Sequence, residues 1–473
     1  MDGTPMAQRR FWLKSLLAAG AGAMLPGCSA LGALAPDEEE QSYQLGCLAY
    51  MYGFPLAYFA RMRYARMMVG DPVTGQRARW GEWQHRDGVV TPQVSGAPQT
   101  DTLYSTAWLE LGTEPYILRL PALPERYWSV QCCDLFGTTF AMLNHRNSRD
   151  GGAVALVGPD WHGQLPPEVG RVYRARMRQA FLVMRIYFSS ESDLPRASAV
   201  QPRFTLAPLS VHLTGQPWHG VASTLWKPPA AAGDALADFK TMQLMWQECP
   251  PPEDDGPLLQ RLARLGLAPG VVDGFAGLSP AARRGLQRAE ADSRKALLAL
   301  THNFPGVRTA NGWIRPRASI GTYADKDYHY RASVALIGTV ATPVDENVYY
   351  VGQRDAEGVA YSGDRRYELY FAPGQLPDCD AFWSLHAYRY QGYTVIPNPI
   401  RRYAISARTP GLRFDADGGL RVYVQAADPG GANSANWLPV MPGTGFFLVT
   451  RGYEPKGSLK DLSWQGPLVT RLA

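Results

Sequence analysis

The sequence predicts an α+β protein, mainly β, in which two antiparallel β-sandwich or jelly-roll-like modules flank a helical segment. Three observations predict this. Short runs of aromatic and β-branched residues, broken by Pro and Gly, fill about 101–183 and 347–473. Apolar residues recur at helical spacing over 234–303. The 13 Trp and 24 Tyr among 473 residues suit the pleated surfaces of sheets.

An internal echo relates the two β regions. Tyr127-Trp128-Ser129-Val130 precedes Gly137 at the same spacing at which Phe382-Trp383-Ser384-Leu385 precedes Gly392. A Tyr-rich strand and a Pro-containing turn come before each run. Such self-similarity indicates duplicated modules. Duplicated modules of this kind are expected to face each other, with a ligand between them.

The segments follow from these patterns. We expect a flexible tether at 28–42, because this stretch is small and acidic. An N-terminal β module with a leading helix follows at 43–230, then a helical segment at 231–340 and a C-terminal β module at 341–473. Helices are predicted at about 45–68 with an interruption at 53–55, and at 235–249, 257–265, 279–302 and 328–336.

The N-terminus carries an export signal. Gln8 to Lys14 resembles the twin-arginine motif, an apolar run follows to Leu25, and Leu25-Pro26-Gly27-Cys28 resembles a lipobox. Residues 1–27 are therefore predicted to be removed and Cys28 to be lipidated, which anchors a periplasm-facing protein. Ser29 after the cysteine favours the outer membrane. A plain cleaved signal, or a helix with a chance cysteine, is the alternative.

Charge and motifs exclude several classes of protein. The net charge of +5 falls to about +3 without the signal, and the arginines are scattered, so no nucleic-acid partner is expected. No second apolar run approaches the roughly 20 residues that span a bilayer. Gly-x-Ser-x-Gly, phosphate-binding loop and Cys-x-x-Cys motifs are absent. Oligomeric state is left open.

Several longer motifs are more specific. They are Tyr50-Met51-Tyr52-Gly53-Phe54-Pro55, Asp101-Thr102-Leu103-Tyr104-Ser105, Asp380-Ala381-Phe382-Trp383-Ser384, Pro397-Asn398-Pro399, Asn436-Trp437-Leu438-Pro439 and Arg451-Gly452-Tyr453. Together they resemble the bacterial family that pairs domain of unknown function 1254 with domain of unknown function 1214, over about residues 45–471. Gln99 and Arg401 stand where that family tends to have Asn. The resemblance implies the fold and leaves the activity open.

Two acids are the candidate catalytic residues. Asp101 and Asp134 lie among apolar and aromatic neighbours, and Asp has a poor β propensity. They form either an acid–base pair or joint ligands of a divalent metal, which is left open as a cofactor. The alternative is that each caps a turn or pairs with an arginine.

Candidate ligand-binding residues are polar and aromatic. Arginines can hold an anionic or carboxylate-bearing ligand by two hydrogen bonds, and aromatic rings can form a stacking wall. The candidates are Tyr104, Arg331, Arg402, Asn436 and Trp437, with Arg451 as a further arginine and His386 as a possible general base. The alternative for each is a purely structural role.

These residues lead to two hypotheses. The first is an exported lipoprotein with hydrolase-like activity on a small polar or ester-type substrate. The second is a non-catalytic lipoprotein that binds a ligand or associates with the cell envelope. In both, the partners are a small molecule and, through Cys28, the membrane.

Overall fold

The structure is a computed structural model that describes residues 37–72, 74–86, 88–223, 228–231 and 233–473. The twin-arginine motif, Cys28 and most of the predicted tether lie outside these residues.

The N-terminal module is a sandwich of two β-sheets. Its strands are β1 (Gln84–His85), β2 (Thr102–Glu110), β3 (Tyr116–Leu120), β4 (Trp128–Asp134), β5 (Thr139–Asn144), β6 (Gly152–Val157), β7 (Val169–Arg174), β8 (Gln179–Tyr187) and β9 (Thr205–Pro208). The N-inner sheet has the order β1-β2-β8-β4-β5, and the outer sheet has the order β7-β6-β3-β9. Their facing sides bury apolar residues such as Leu118, Trp128 and Leu182.

The C-terminal module is a second sandwich. Its strands are β10 (Val307–Arg308), β11 (Ile314–Arg315), β12 (Asn347–Gly352), β13 (Arg366–Phe371), β14 (Cys379–Arg389), β15 (Ala404–Ser406), β16 (Leu420–Gln425), β17 (Trp437–Pro439), β18 (Phe446–Pro455) and β19 (Val469–Leu472). The C-inner sheet has the order β10-β11-β12-β18-β14-β15, and the outer sheet has the order β17-β16-β13-β19. The predicted α+β class with two β-rich modules is confirmed.

The two sandwiches have the same topology. Strands β1–β9 and β11–β19 occupy matching places in both sheets, down to one parallel pair, β6 with β7 and β16 with β17. The registers also match: Tyr104, Arg185 and Ser129 are paired across β2, β8 and β4. Tyr349, Arg451 and Ser384 are paired in the same way across β12, β18 and β14. The modules are therefore structural repeats, with equivalent residues 245 positions apart between β2 and β12, 255 apart between β4 and β14 and 266 apart between β8 and β18. The sequence echo shows the second of these spacings.

A helical layer covers part of the N-inner sheet. The helices of the described residues are α1 (Glu38–Tyr64), α2 (Leu194–Ser198), α3 (Leu209–Thr214), α4 (Ala237–Glu248), α5 (Gly256–Leu262), α6 (Pro280–Thr301), α7 (Tyr328–Gly338) and α8 (Gly457–Lys460). Of these, α1, α4, α5, α6 and α7 form the layer. Ser279 begins α6 as predicted, because its side chain accepts the Ala282 N–H at 3.0 Å. Trp108 and Phe181 of the N-inner sheet pack into this layer.

Helix α1 corrects two predictions. It begins at Glu38, so residues 38–42 are helical rather than part of a tether; three glutamates in its first turn are favoured by the helix dipole. It also runs through Pro55 without a break. Its packing on α4, α6 and α7 offsets the hydrogen bond that proline removes. Gly53 permits this contact, since a Cβ there would collide with Met242.

Candidate functional site

The two inner sheets face each other and meet at an aromatic cluster. Tyr187 of β8 and Tyr127, which directly precedes β4, come from the N-terminal module, and Phe382 and Tyr453 come from the C-inner sheet. The rings of Phe382 and Tyr453 stack at 4.3 Å, and those of Tyr187 and Phe382 at 4.5 Å. Tyr127 and Phe382 are equivalent positions in the repeat, so the contact is close to symmetric.

A cavity of about 280 Å³ opens beside this cluster, between the two sheets. Its walls are inward-facing residues of β2 and β8 on one side and of β12 and β18 on the other. Residues 88–100, here called the strap, and the C-terminal end of α7 close its edges. The volume is just below the usual range for small-molecule pockets, roughly 300–1,000 Å³, so only a small ligand would fit.

Arg185 lies in the wall that the N-inner sheet contributes, and it is 5% exposed. Its two terminal nitrogens donate to Gln131 Oε1, each at 3.2 Å. A guanidinium has five N–H donors, so three have no acceptor among the described residues. No carboxylate of a described residue lies within 4.0 Å of Arg185. This buried cation is thus only partly satisfied by the protein.

Arg451 occupies the equivalent place in the C-inner sheet and is 4% exposed. It donates to Tyr388 Oη at 2.7 Å, to the Ala97 carbonyl of the strap at 2.6 Å and to His386 Nδ1 at 3.4 Å. Burial and the charges of Arg451 and Arg408 hold the pKa of His386 well below its usual value. His386 is therefore neutral and suited to accept from Arg451.

Tyrosines line the space between the two arginines. The Arg185 guanidinium lies 5.8 Å from the centre of the Tyr104 ring, and that of Arg451 lies 5.6 Å from the centre of the Tyr349 ring. Burial raises the pKa of Tyr453, and Arg451 and Arg185 together oppose part of that rise. Arg185, Arg451 and Tyr453 all line the same cavity.

The more exposed end of the cavity carries a second charged group. Arg66 and Arg86 both pair with Asp71 there. With Arg185 and Arg451, the described lining holds four arginines against one acid, a net charge of +3. Such a lining attracts anions and disfavours cations.

The structure does not bring Asp101 and Asp134 together. Asp101 precedes β2 beside Phe188, whereas Asp134 ends β4 opposite Ala180. Eight residues of β8 separate these ends, which corresponds to roughly 27 Å. Neither acid lines the cavity. The paired-carboxylate hypothesis therefore has no geometric support, because the two residues lie at opposite ends of one sheet.

Each acid instead has a local structural partner. Asp101 pairs with Arg408 of the C-terminal module, and burial raises its pKa despite that cation. Asp134 Oδ1 accepts the N–H groups of Phe136 and Thr138, each at 2.9 Å, and so holds the turn after β4. Burial also raises the pKa of Asp134.

Arg331 lies inside the helical layer rather than in the cavity. Its guanidinium packs against the rings of Phe136, Tyr328 and Tyr52 at 4.5 to 5.4 Å and donates to the Tyr52 carbonyl at 2.9 Å. The predicted ligand arginine is thus enclosed by aromatic rings of the protein itself.

The three candidate ligand residues of the C-terminal module hold the backbone of that module in place through hydrogen bonds. Arg402 donates to the carbonyls of Ser434, Ala435 and Trp437 at 2.8 to 3.2 Å. The Asn436 amide binds the main chain of Arg413 and Arg421. Trp437 donates to the Gln425 carbonyl at 2.8 Å. None of the three predicted residues lines the cavity, because all are used to satisfy backbone groups.

Of the predicted ligand residues, Tyr104 does line the cavity, as does Arg451. Sequence reasoning missed Arg185. A signal for it exists, because Phe181-Leu182-Val183-Met184-Arg185-Ile186-Tyr187 repeats as Phe447-Leu448-Val449-Thr450-Arg451-Gly452-Tyr453. An arginine at the same place in two apolar strands marks a shared inward-facing charge.

Two features are absent from the described part of the chain. There, no group of three or more His, Cys, Asp or Glu side chains is placed to hold a metal ion. No helix within the same residues has the length and apolar character needed to cross a bilayer.

Comparisons with known proteins agree with this architecture. The family model described as "Protein of unknown function (DUF1254)" matches residues 82–208, and the model described as "Protein of unknown function (DUF1214)" matches residues 346–457. The first match spans β1 to β9 and the second spans β12 to β18, so each falls on one sandwich. No curated protein matches.

Two crystal structures are similar to the chain. The VPA0106 protein from Vibrio parahaemolyticus is 22% identical, with 91% of this chain and 100% of that one covered and a TM-score of 0.65. An uncharacterized protein from Burkholderia cenocepacia is 14% identical, with 92% and 94% covered and a TM-score of 0.43. The first likeness supports the fold alone. Because the two family models together match about half of the chain, the chain belongs to the bacterial family that joins domain of unknown function 1254 to domain of unknown function 1214.

Proposed function

We propose that this protein binds an anionic small molecule in the cavity between its two modules. One observation carries the proposal: Arg185 is buried in the cavity wall, with Gln131 as its only hydrogen-bond acceptor among the described residues. Three N–H groups of its guanidinium are left for a ligand.

The energetics favour a ligand over a structural role for Arg185. Moving a charge out of water costs several kcal/mol unless an opposite charge and hydrogen bonds compensate for it. A neutral amide compensates only in part. A carboxylate, by contrast, takes two parallel hydrogen bonds from a guanidinium and cancels its charge. A residue that costs stability in the empty protein is typical of a binding site.

The surroundings of Arg185 support the same class of ligand. The net charge of +3 in the described lining raises the local concentration of anions. Apolar side chains, including Val183 and Val449, cover much of the remaining wall and suit a hydrocarbon portion. The ligand expected is thus an organic anion rather than an inorganic one.

This proposal corresponds to the second of the two hypotheses from the sequence, a ligand-binding protein. The hydrolase-like hypothesis stays an untested prediction. Asp101 and Asp134, to which it assigned catalysis, lie at opposite ends of a sheet and outside the cavity.

Calorimetric titration tests the proposal. The purified protein is titrated with hexanoate, benzoate and adipate and with the corresponding neutral amides. We expect at least one acid to bind and its amide not to bind. R185Q should weaken that binding by about thirtyfold or more, since a buried charge-assisted contact is worth about 2–5 kcal/mol.

R264Q is the matched control, because Arg264 is exposed and does not line the cavity. It should bind as the wild type does. If R185Q and R264Q bind the anions with equal affinity, Arg185 is not the anchor and the proposal is wrong.

We further propose that this binding takes place outside the cytoplasm, on a lipoprotein anchored through Cys28. The motif at 25–28 supports this. Cells that express the full chain and are fed an alkyne-tagged fatty acid should yield a labelled protein in the membrane fraction, whereas C28A should stay unlabelled. Equal labelling of both would exclude Cys28 as the lipid site.

A further inference from the structure

The cavity lies between two modules that are related by an approximate twofold symmetry. Arg185 and Arg451 are equivalent, as are Tyr104 and Tyr349, because each pair occupies the same register position in the two inner sheets. The neighbouring partner is equivalent as well: Gln131 binds Arg185, and His386 takes its place beside Arg451. Each module thus contributes one buried guanidinium with a tyrosine beside it.

The contacts between the modules follow the same relation. Asp101 of the N-terminal module pairs with Arg408 of the C-terminal module, and Glu346 of the C-terminal module pairs with Arg146 of the N-terminal one. Arg408 also donates to the Thr100 carbonyl at 3.1 Å, and Arg146 to the Asp345 carbonyl at 3.0 Å. The interface is therefore self-complementary, as between subunits of a twofold dimer. A ligand between the modules meets two similar walls.

The charges of these walls determine what can fill the cavity. Arg185 and Arg451 are both buried and permanently protonated, and no carboxylate of a described residue is within 4.0 Å of either. A ligand with one negative charge leaves one of the two cations uncompensated. A ligand with two negative charges neutralises both.

Donor groups remain on both arginines. Gln131 takes two of the five N–H groups of Arg185, and three described acceptors take three of those of Arg451. Three and two donors are left, enough for one acidic group each. The arginines belong to different sheets, and Val183 and Val449 stand two residues before them on the same faces. Apolar surface therefore accompanies each acidic subsite.

We infer that the ligand is a small dicarboxylate-type dianion with an apolar spacer, one acidic group bound to Arg185 and the other to Arg451. This inference rests on the anion binding proposed above and adds the second acidic group. A single dianionic group, such as a phosphate monoester, is the competing way to supply two charges.

The test compares ligands that differ in one charge. The purified protein is titrated with succinate, adipate, suberate and terephthalate, with the monoamide of each, and with phenyl phosphate. We expect at least one dicarboxylate to bind about tenfold or more tightly than its own monoamide and than phenyl phosphate. In R185Q and in R451Q the preference for the dicarboxylate over its monoamide should fall below about threefold.

R451K provides a second variant in case R451Q does not fold. It keeps the charge but not the planar fork, so it should bind the dicarboxylate several-fold more weakly than wild type while retaining part of the preference. Monoamides or phenyl phosphate that bind as tightly as every dicarboxylate would overturn the dicarboxylate inference and leave the anion-binding proposal standing. Failure of all anions to bind would overturn both.

Discussion

Arg185 and Arg451 hold the same position in two copies of one sheet, yet the protein uses them differently. Arg185 donates to a single amide oxygen, whereas Arg451 donates to a tyrosine hydroxyl, a histidine nitrogen and a backbone carbonyl. The comparison shows that a duplicated scaffold can keep a buried charge in both halves and still divide the work. Under the proposed function, Arg185 is available mainly to the ligand, whereas Arg451 also holds the fold together.

The hydrogen bonds of the two arginines differ because a different segment of the chain packs on each inner sheet. The strap, although it belongs to the N-terminal half of the chain, lies on Arg451 of the C-inner sheet, and its Ala97 carbonyl accepts from that residue. In the N-terminal module the crossing segment contains α7, and its Ala341 carbonyl accepts from Gln131 instead, at 2.8 Å. Gln131 is thus interposed between Arg185 and the crossing chain. This leaves Arg185 without a backbone partner among the described residues.

The largest expected effect separates the two arginines by stability. R451Q should lower the free energy of unfolding by about 4 kcal/mol, because three hydrogen bonds to a charged group, worth about 1.5–3 kcal/mol each, are removed and the end of the charge burial offsets only part of that loss. R185Q should change it by less than about 1 kcal/mol, since the cost of burying its charge disappears with its hydrogen bonds. Urea unfolding of the ligand-free proteins measures both values.

Equal losses in R185Q and R451Q would break the comparison, for they would mean that both arginines are structural. R451K distinguishes charge from geometry: it should recover only part of the stability, since an ammonium cannot reach all three acceptors in the arrangement that the guanidinium uses.

A second comparison concerns the two ion pairs that join the modules. Asp101 and Arg408 are both largely buried, with side chains 2% and 20% exposed. Glu346 is equally buried, but its partner Arg146 is 42% exposed. Glu346 also accepts from Tyr127 Oη at 2.5 Å and from Asn144 Nδ2 at 2.6 Å. The second acid therefore depends less on its arginine than the first does.

The expected effect of intermediate size, on the free energy of unfolding, follows from this difference between the two ion pairs. R408Q should cost about 3 kcal/mol of unfolding free energy near neutral pH, because it leaves the buried Asp101 carboxylate without its cation. R146Q should cost about 1 kcal/mol, since two neutral donors remain on Glu346.

The double variant D101N/R408Q gives the decisive measurement. It removes the uncompensated charge together with its partner, so it should recover most of the stability that R408Q loses. A double variant no more stable than R408Q would show that the loss comes from packing, for example of Arg408 on the Phe188 ring at 4.6 Å, and not from the ion pair.

The fold was largely predictable from the sequence because its signals are local or repeated. The echo around Trp128 and Trp383 corresponds to the equivalent strands β4 and β14, and Ser279 begins a helix as its capping pattern requires. The helix through Pro55 was not predictable in this way, because the packing that tolerates the proline comes from helices far along the chain.

The site was predicted less well, for two physical reasons. Asp101 and Asp134 looked like a pair because both are acids among apolar residues, but their separation depends on strand register, which the sequence does not display. Arg402 and Asn436 looked like ligand residues because they are polar in a signature motif, yet the carbonyls that they satisfy are recognisable only once the loop is folded. Arg185 was missed although its strand repeats that of Arg451.

The smallest expected effect concerns a histidine that is present beside only one of the two ion pairs between the modules. The two corners of the interface are the Glu346–Arg146 pair and the Asp101–Arg408 pair. His145 Nε2 lies 2.5 Å from Glu454 Oε1, whereas the equivalent positions near Asp101 are Ala407 and Phe188. The hydrogen bond to Glu454 raises the pKa of His145 above its ordinary value of 6.5, despite partial burial. The protonated form is thus favoured in the folded protein.

The sign of the pH dependence follows from this shift. Because the folded protein holds the proton more tightly than the unfolded chain, His145 stabilises fully below about pH 6.5, and the contribution is lost as the pH rises through the folded pKa. H145N should therefore flatten the decline in unfolding free energy between about pH 6 and 8, while H162N, at an exposed histidine, should leave it unchanged. The difference should be about 1 kcal/mol, since the pair is partly solvated. If H145N shows the same decline as wild type, the proton is held elsewhere, and the two corners are alike in their response to pH.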